Sequence, residues 1–250
     1  MTPLFKSHYS IGKSILTLND PSEVKEDGPD SVFSIAQDHL DKIVLVEDSL
    51  IGFLEALKVS QNLGKQLIFG LRISCSHESH SKDKGNECLH KIIIFAKNNQ
   101  GCQLLNKIYS HAFCQTEGVI YIEDLKKFWN DENLSISIPF YDSFIFMNSL
   151  HFCSCIPNFG FTDLHFFIED NFLPFDIDIQ NKVIAYCDKY GHSYTKAKTI
   201  YYNSRKDFES YQTYKCVCSK KFKQRTLNVP NFDHLASPEF CMESYLENKN

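Results

Sequence analysis

The chain has 250 residues, and 26 Lys and Arg against 31 Asp and Glu leave a net charge of −5. Twenty-one Phe and twelve Tyr give too much apolar surface for chain-wide disorder. The acidic balance argues against a broad duplex-DNA surface as the main function. No run of about 18 apolar residues occurs, so no transmembrane helix is expected.

Met1-Thr2-Pro3-Leu4-Phe5-Lys6 lacks the apolar stretch of a signal peptide, and a cytoplasmic address is expected (host cytoplasm if the source is viral). The ten Cys are then expected to be mostly free thiols, since a chain of this length folds without disulfides.

In chain order, Ile43–Val46 reads as a buried strand. Leu50–Leu63 reads as a helix with Phe53, Leu54 and Leu57 on one face and Gly64 at its stop. Leu67–Ile73 is a second strand, Ser74–Glu87 a polar loop or hairpin tip, and His90–Phe95 a third strand. Asn98–Phe113 is a helix carrying Leu104, Leu105, Ile108 and Ala112 on one side. Ile122–Trp129 reads as a short helix, and Phe144–Phe146 and Leu164–Ile168 as strands. Ile179–Tyr190 is a helix with Gly191 past its end, Ser193–Thr199 a strand, and Ser204–Cys218 a helix. Ser237-Pro238-Glu239 opens a last helix, with Ser at the N-cap and Pro at N1.

This alternation predicts a parallel sheet or barrel of βα units. Its chemistry would lie at the C-terminal strand ends: Glu47-Asp48, Arg72, the end of the strand at 90–95, and Thr199 to Tyr202.

Other groups carry metal or charge chemistry. Cys75, His77, His80, Cys88 and His90 are zinc-capable residue types, though their spacing fits no common finger. Cys153-Ser-Cys155 and Cys216-Val-Cys218 are C-x-C pairs. Lys215, Lys220, Lys221, Lys223 and Arg225 form a basic run interleaved with Tyr214 and Phe222. That run suits single-stranded nucleic acid or an acidic partner, or is a solvated loop. No glycine-rich phosphate loop is present.

Five segments in order resemble the PHP domain at the front of bacterial DNA polymerase III alpha subunits, the family C replicases. Leu4-Phe5-Lys6-Ser7-His8-Tyr9-Ser10 resembles His-x-His-Ser-x-Tyr-Ser. Leu45-Val46-Glu47-Asp48 through Gly52 to Ala56 resembles the Leu-Thr-Asp-His strand end and its helix. Gly64 to Arg72 is similar to Gly-Ile-Lys-x-Ile-x-Gly-x-Glu. His90 to Gly101 is similar to His-x-x-x-Leu-Ala-Lys-Asn-x-x-Gly. Lys189-Tyr190-Gly191 through Thr199 to Tyr202, then Asp207-Phe208, resembles Lys-Tyr-Gly…Asn-Asp-x-His-Tyr…Glu-Asp-Ala. The tail Leu235 to Leu246 resembles the stretch leading into the polymerase palm. Residues 115–175 match poorly.

The resemblance implies a distorted (β/α)7 barrel of the PHP type, a single domain over 1–250 whose tail from about 226 leads toward a palm. In active members of the family, side chains at the barrel mouth hold metal ions for phosphoester hydrolysis. Here the two opening His positions fall on Leu4 and Lys6, the Asp-His pair on Glu47 and Asp48, the strand-end Glu on Arg72, and the late Asp-x-His pair on Thr199 and Tyr201. His90 alone is retained unchanged. A register shifted by two residues would put His8 at an opening His position.

Arg cannot ligate a metal. Glu47, Asp48, Lys6 and Arg72 are expected to form an ion-pair cluster, with no cofactor. The implied function is a non-hydrolytic PHP-like chain docking onto a separate family C polymerase core in DNA replication. An alternative is a metal-dependent phosphoesterase or 3′–5′ exonuclease. Glu47, Asp48 and His90 would then hold Zn, Mn or Fe, and Lys6 and Arg72 would clamp phosphate. A third is a phosphate- or single-strand-binding module using Lys6, Arg72 and the basic run.

Overall fold

The computed structural model describes residues 1–76, 88–151, 153–218 and 237–249. Among the described residues, runs of apolar and β-branched residues form eight strands: β1 Thr2–Phe5, β2 Lys42–Glu47, β3 Gln66–Ser76, β4 His90–Ala96, β5 Val119–Tyr121, β6 Leu134–Ile138, β7 Leu164–Ile168 and β8 Ser193–Ile200. Eight α-helices alternate with them among the described residues: α1 Val32–Ala36, α2 Phe53–Asn62, α3 Asn99–Gln115, α4 Ile122–Phe128, α5 Phe144–Leu150, α6 Asp176–Tyr190, α7 Phe208–Cys218 and α8 Met242–Asn248. No helix among the described residues is long and apolar enough to cross a membrane.

The fold is mixed α/β. The strands pair in the order β2-β1-β8-β7-β6-β4-β3, and β3 also pairs with β2, so seven strands form a closed circuit of pairings. β5 adds beside β3. The circuit is not all-parallel as the alternation predicts, because β4 runs antiparallel to both β3 and β6. Antiparallel neighbours need no crossover helix. Ser74–Ser76, expected in a loop, extend β3 and pair with β5. The rest of that expected loop lies outside the described residues.

Two compact units divide the chain: Met1–Phe69 with Asp170–Asp176 and Ala197–Asn250, and Gly70–Glu169 with Ile177–Lys196. In the first unit β1 lies between β2 and the second half of β8, parallel to both, with Phe5 opposite Leu45 and Leu4 opposite Thr199. Phe5, Leu45, Phe33, Tyr202 and Tyr211 are buried in its core. In the second unit β4 is sealed on both faces, with Ile92, Ile93 and Ile94 almost completely buried. A strand covered on both faces reads as a continuous apolar run, and this one does.

Two expected elements differ. Phe144–Phe146 begin helix α5, because the Ser143 hydroxyl caps it, accepting from Phe146 N at 3.2 Å. A short aromatic run has no period to separate buried helix from strand. Ser237-Pro238-Glu239 forms a turn, and the helix starts only at Met242. Tyr201 N donates to Phe240 O at 2.9 Å and Met242 N to Tyr202 O at 3.1 Å, which holds 240–241 extended in a bridge to Tyr202.

Candidate functional site

In the first unit the parallel strands β1, β2 and β8 end side by side, and the polar groups stand at those ends. Lys6 follows β1 and is nearly fully buried, with its Nζ 2.8 Å from Asp48 Oδ1. Glu47 closes β2 and is fully buried. Its Oε1 accepts from Ser7 N at 2.8 Å, and its Oε2 accepts from the Ser10 hydroxyl. The same Ser10 oxygen accepts from Asp48 N at 2.9 Å. Burial raises the Glu47 pKa above the usual glutamate value, and Lys6, Ser10 and Ser7 act in the opposite sense.

The other residues of this unit that carry the resemblance are apolar or packed against neighbours. Leu4 is core. Thr199 lies half-buried opposite it. Tyr201 stacks on Tyr211 at 5.5 Å and Phe240 at 5.4 Å. The His8 ring packs on Tyr9 at 4.2 Å. Gly52, the glycine of the second resembling segment, is required by packing: a Cβ there would stand 2.5 Å from the Tyr9 ring.

Arg72 and His90 belong to the second unit. Arg72 ion-pairs with Asp142, a residue that the sequence reading did not single out. Nothing in the sequence marks Asp142, which lies 70 residues on in the poorly matching region. His90 is buried, set edge-on to Phe144 at 6.0 Å and Phe159 at 6.5 Å. Ser7 and Ser10 were legible only as motif letters, and their role as donors to Glu47 needed the fold.

Both strand-end carboxylates are already engaged by protein donors. A cation at Asp48 would compete with an ammonium already 2.8 Å away, and both Glu47 oxygens accept hydrogen bonds from protein donors. Among the described residues no three His, Cys, Asp or Glu side chains stand together as an ion-binding group. Lys215 is buried with its Nζ over the Tyr211 ring at 5.8 Å. Lys220, Lys221, Lys223 and Arg225 lie outside the described residues, as do His77 and His80.

The Ala-Lys-Asn-x-x-Gly letters of the fourth segment have a structural role. Asn98 caps α3, accepting from Gly101 N at 2.9 Å, and its Nδ2 donates to Asn133 Oδ1 at 2.9 Å. A Cβ on Gly101 would stand 2.2 Å from Asn133 O. No family model matches the chain, and no curated protein is found similar to it.

Proposed function

We propose that this chain is a non-hydrolytic, PHP-like subunit or fragment of a family C replicative DNA polymerase, stabilising or docking onto the polymerase core. The carrying observation is the Lys6–Asp48 ion pair at the end of β1 and β2. An ammonium stands where the resemblance calls for a metal ligand, and it neutralises the neighbouring carboxylate. Glu47, the second carboxylate at that end, is engaged by Ser7 and Ser10. The five ordered segments support the family, and the mixed α/β circuit of strands accommodates it.

In this reading the cluster replaces a metal by an internal charge pair, and its service is to hold the strand ends together. The test is affinity purification of the tagged chain from the cells or infected cells in which it is made, followed by mass spectrometry. A family C polymerase core should co-purify, and a solitary chain would overturn the proposal. Phosphodiester hydrolysis stimulated by Mn²⁺ or Zn²⁺ and lost in Glu47→Gln or Asp48→Asn would replace it with the enzyme reading.

A further inference from the structure

A cavity of about 640 Å³ opens in the second unit at the N-terminal ends of β6, β7 and β8, which run parallel there. Asp131 precedes β6, residues 156–164 lead into β7, and Tyr190 and His192 span the turn from α6 to β8. Aromatic rings form its walls. His192 stacks near-parallel on Tyr186, with centroids 5.9 Å apart, and on Tyr190 at 6.4 Å. Tyr190 is 47% exposed, so its ring is open to a ligand. The segment before β7 adds Phe159 and Phe161, 6.1 Å apart.

Two carboxylates line the same cavity. Asp131 is fixed in place: its Oδ1 accepts from Thr162 Oγ1 at 2.6 Å and from Trp129 Nε1 at 2.8 Å. Those donors hold its carboxyl below the ordinary aspartate value, which keeps it ionised at neutral pH. Asp163 is exposed and has no hydrogen-bond or ion-pair partner among the described residues.

Apolar walls with a few polar groups, around a volume of about 300–1,000 Å³, are the usual form of a small-molecule site. Aromatic faces favour a planar ring as the occupant. A carboxylate offers acceptors only, so that ring must bring donors. Among the common nucleobases, guanine sets two donors side by side on one edge, N1–H and the 2-amino group, and they match the two oxygens of Asp163. Adenine and cytosine set a ring-nitrogen lone pair beside their amino group, and that lone pair would face a carboxylate oxygen. An organic cation fits less well, because it would meet ammonium groups already standing at two of the rings. Lys126 Nζ lies 5.7 Å from the Phe161 centroid and Lys189 Nζ 5.0 Å from the Tyr190 centroid.

We infer that this cavity binds a guanine base, stacked on the Tyr190 and His192 rings and read by Asp163 through N1–H and the 2-amino group. A free nucleoside and a single strand both carry that edge. Guanine recognition here is independent of the polymerase reading. Trp129, bonded to Asp131 and 5.6 Å from the Phe161 ring, is the only Trp of the chain, so its emission reports occupancy.

The test is a titration of the full chain with guanosine, followed by Trp129 fluorescence. Guanosine should quench it saturably, and adenosine and cytidine should bind at least about tenfold more weakly, since a site built for N–H donors rejects a base without them. Tyr190→Ala should weaken guanosine about tenfold through lost stacking. Asp163→Asn exchanges an acceptor oxygen for a donor, so it should lose guanosine and take xanthosine, whose 2-oxo group accepts. That gain of binding separates lost recognition from a misfolded variant. A trinucleotide with guanine between two thymines identifies the source: tighter binding than guanosine assigns a single strand, weaker binding a free nucleoside, and either supports the site. No saturable quenching by millimolar guanosine would overturn the inference. So would equal affinity for adenosine, or tetramethylammonium bound in preference to guanosine.

Discussion

Replacing Lys6 by Met removes the ammonium 2.8 Å from Asp48. Breaking a fully buried pair costs about 3–5 kcal/mol; with the Asp48 side chain 29% exposed, the expected loss is about 2 kcal/mol. Urea denaturation measures it, and adding Asp48→Asn should restore part of the loss. Glu47 gives a pH test. Its folded pKa lies above the ordinary value, chiefly because burial disfavours the charge. Between the two values the folded chain holds a proton that the unfolded chain has released, so stability falls as pH rises through that window. Glu47→Gln removes this contribution, and its stability relative to the wild type should improve as pH rises above the ordinary glutamate value. At this scale the sequence showed which residues stand where metal ligands are expected, because strand ends can be counted. Their partners were hidden. Nothing in the letters joins Arg72 to Asp142, or Ser10 to Glu47, since those contacts are made by chain reversals without a period.

The elements were legible where periodicity was long. The helices expected at 98–113 and 179–190 are α3 and α6, 17 and 15 residues long, and Gly64 and Gly191 sit past their helices with φ of 62° and 73°. Phe144–Phe146 read as a strand because three Phe and Ile residues carry no period, and α8 begins later than its cap sequence suggests because a β-bridge at Tyr202 takes precedence. The cap of α3 tests the motif reading. Gly101→Ala should destabilise the chain by about 2 kcal/mol, as an overpacked site does, with Asn133 unable to retreat from its own bond to Lys97 N. Arg205 makes the corresponding case at the C-terminal end. Its guanidinium meets Glu239 at 2.9 Å, Glu243 at 3.3 Å and Glu247 at 2.6 Å. Glu239 is consequently held below the usual carboxylate range. Arg205→Ala should loosen α8 by about 2 kcal/mol, since the fork's charge-assisted bonds are lost together. Faster hydrogen exchange over 242–248 would report it, and unchanged exchange would show that the fork holds nothing.

At the scale of the whole chain, strand–helix alternation revealed the α/β class and gave no sign that β4 is reversed. Direction is decided by the connection between strands, and composition carries no record of it. Neither was the division into two units visible, because β3 and β8 pass through both. A chain truncated after Lys196 keeps every residue of the second unit and loses the β1 partner from Ala197 to Ile200. Near-ultraviolet circular dichroism and limited proteolysis should then find 1–69 unfolded. Protection of 1–69 in the truncated chain would show that β2 alone suffices to order β1.

The pairing of Thr2 with Ala197 also bears on how the protein is made. β1 is synthesised well before β8, and one of its two ladders can form only once Ala197–Ile200 have followed. Such separation slows folding, because the closing entropy of the intervening chain comes before the contacts that repay it. Until then the second edge of β1 is open to other chains. The rate of translation should therefore bear on the yield of folded molecule.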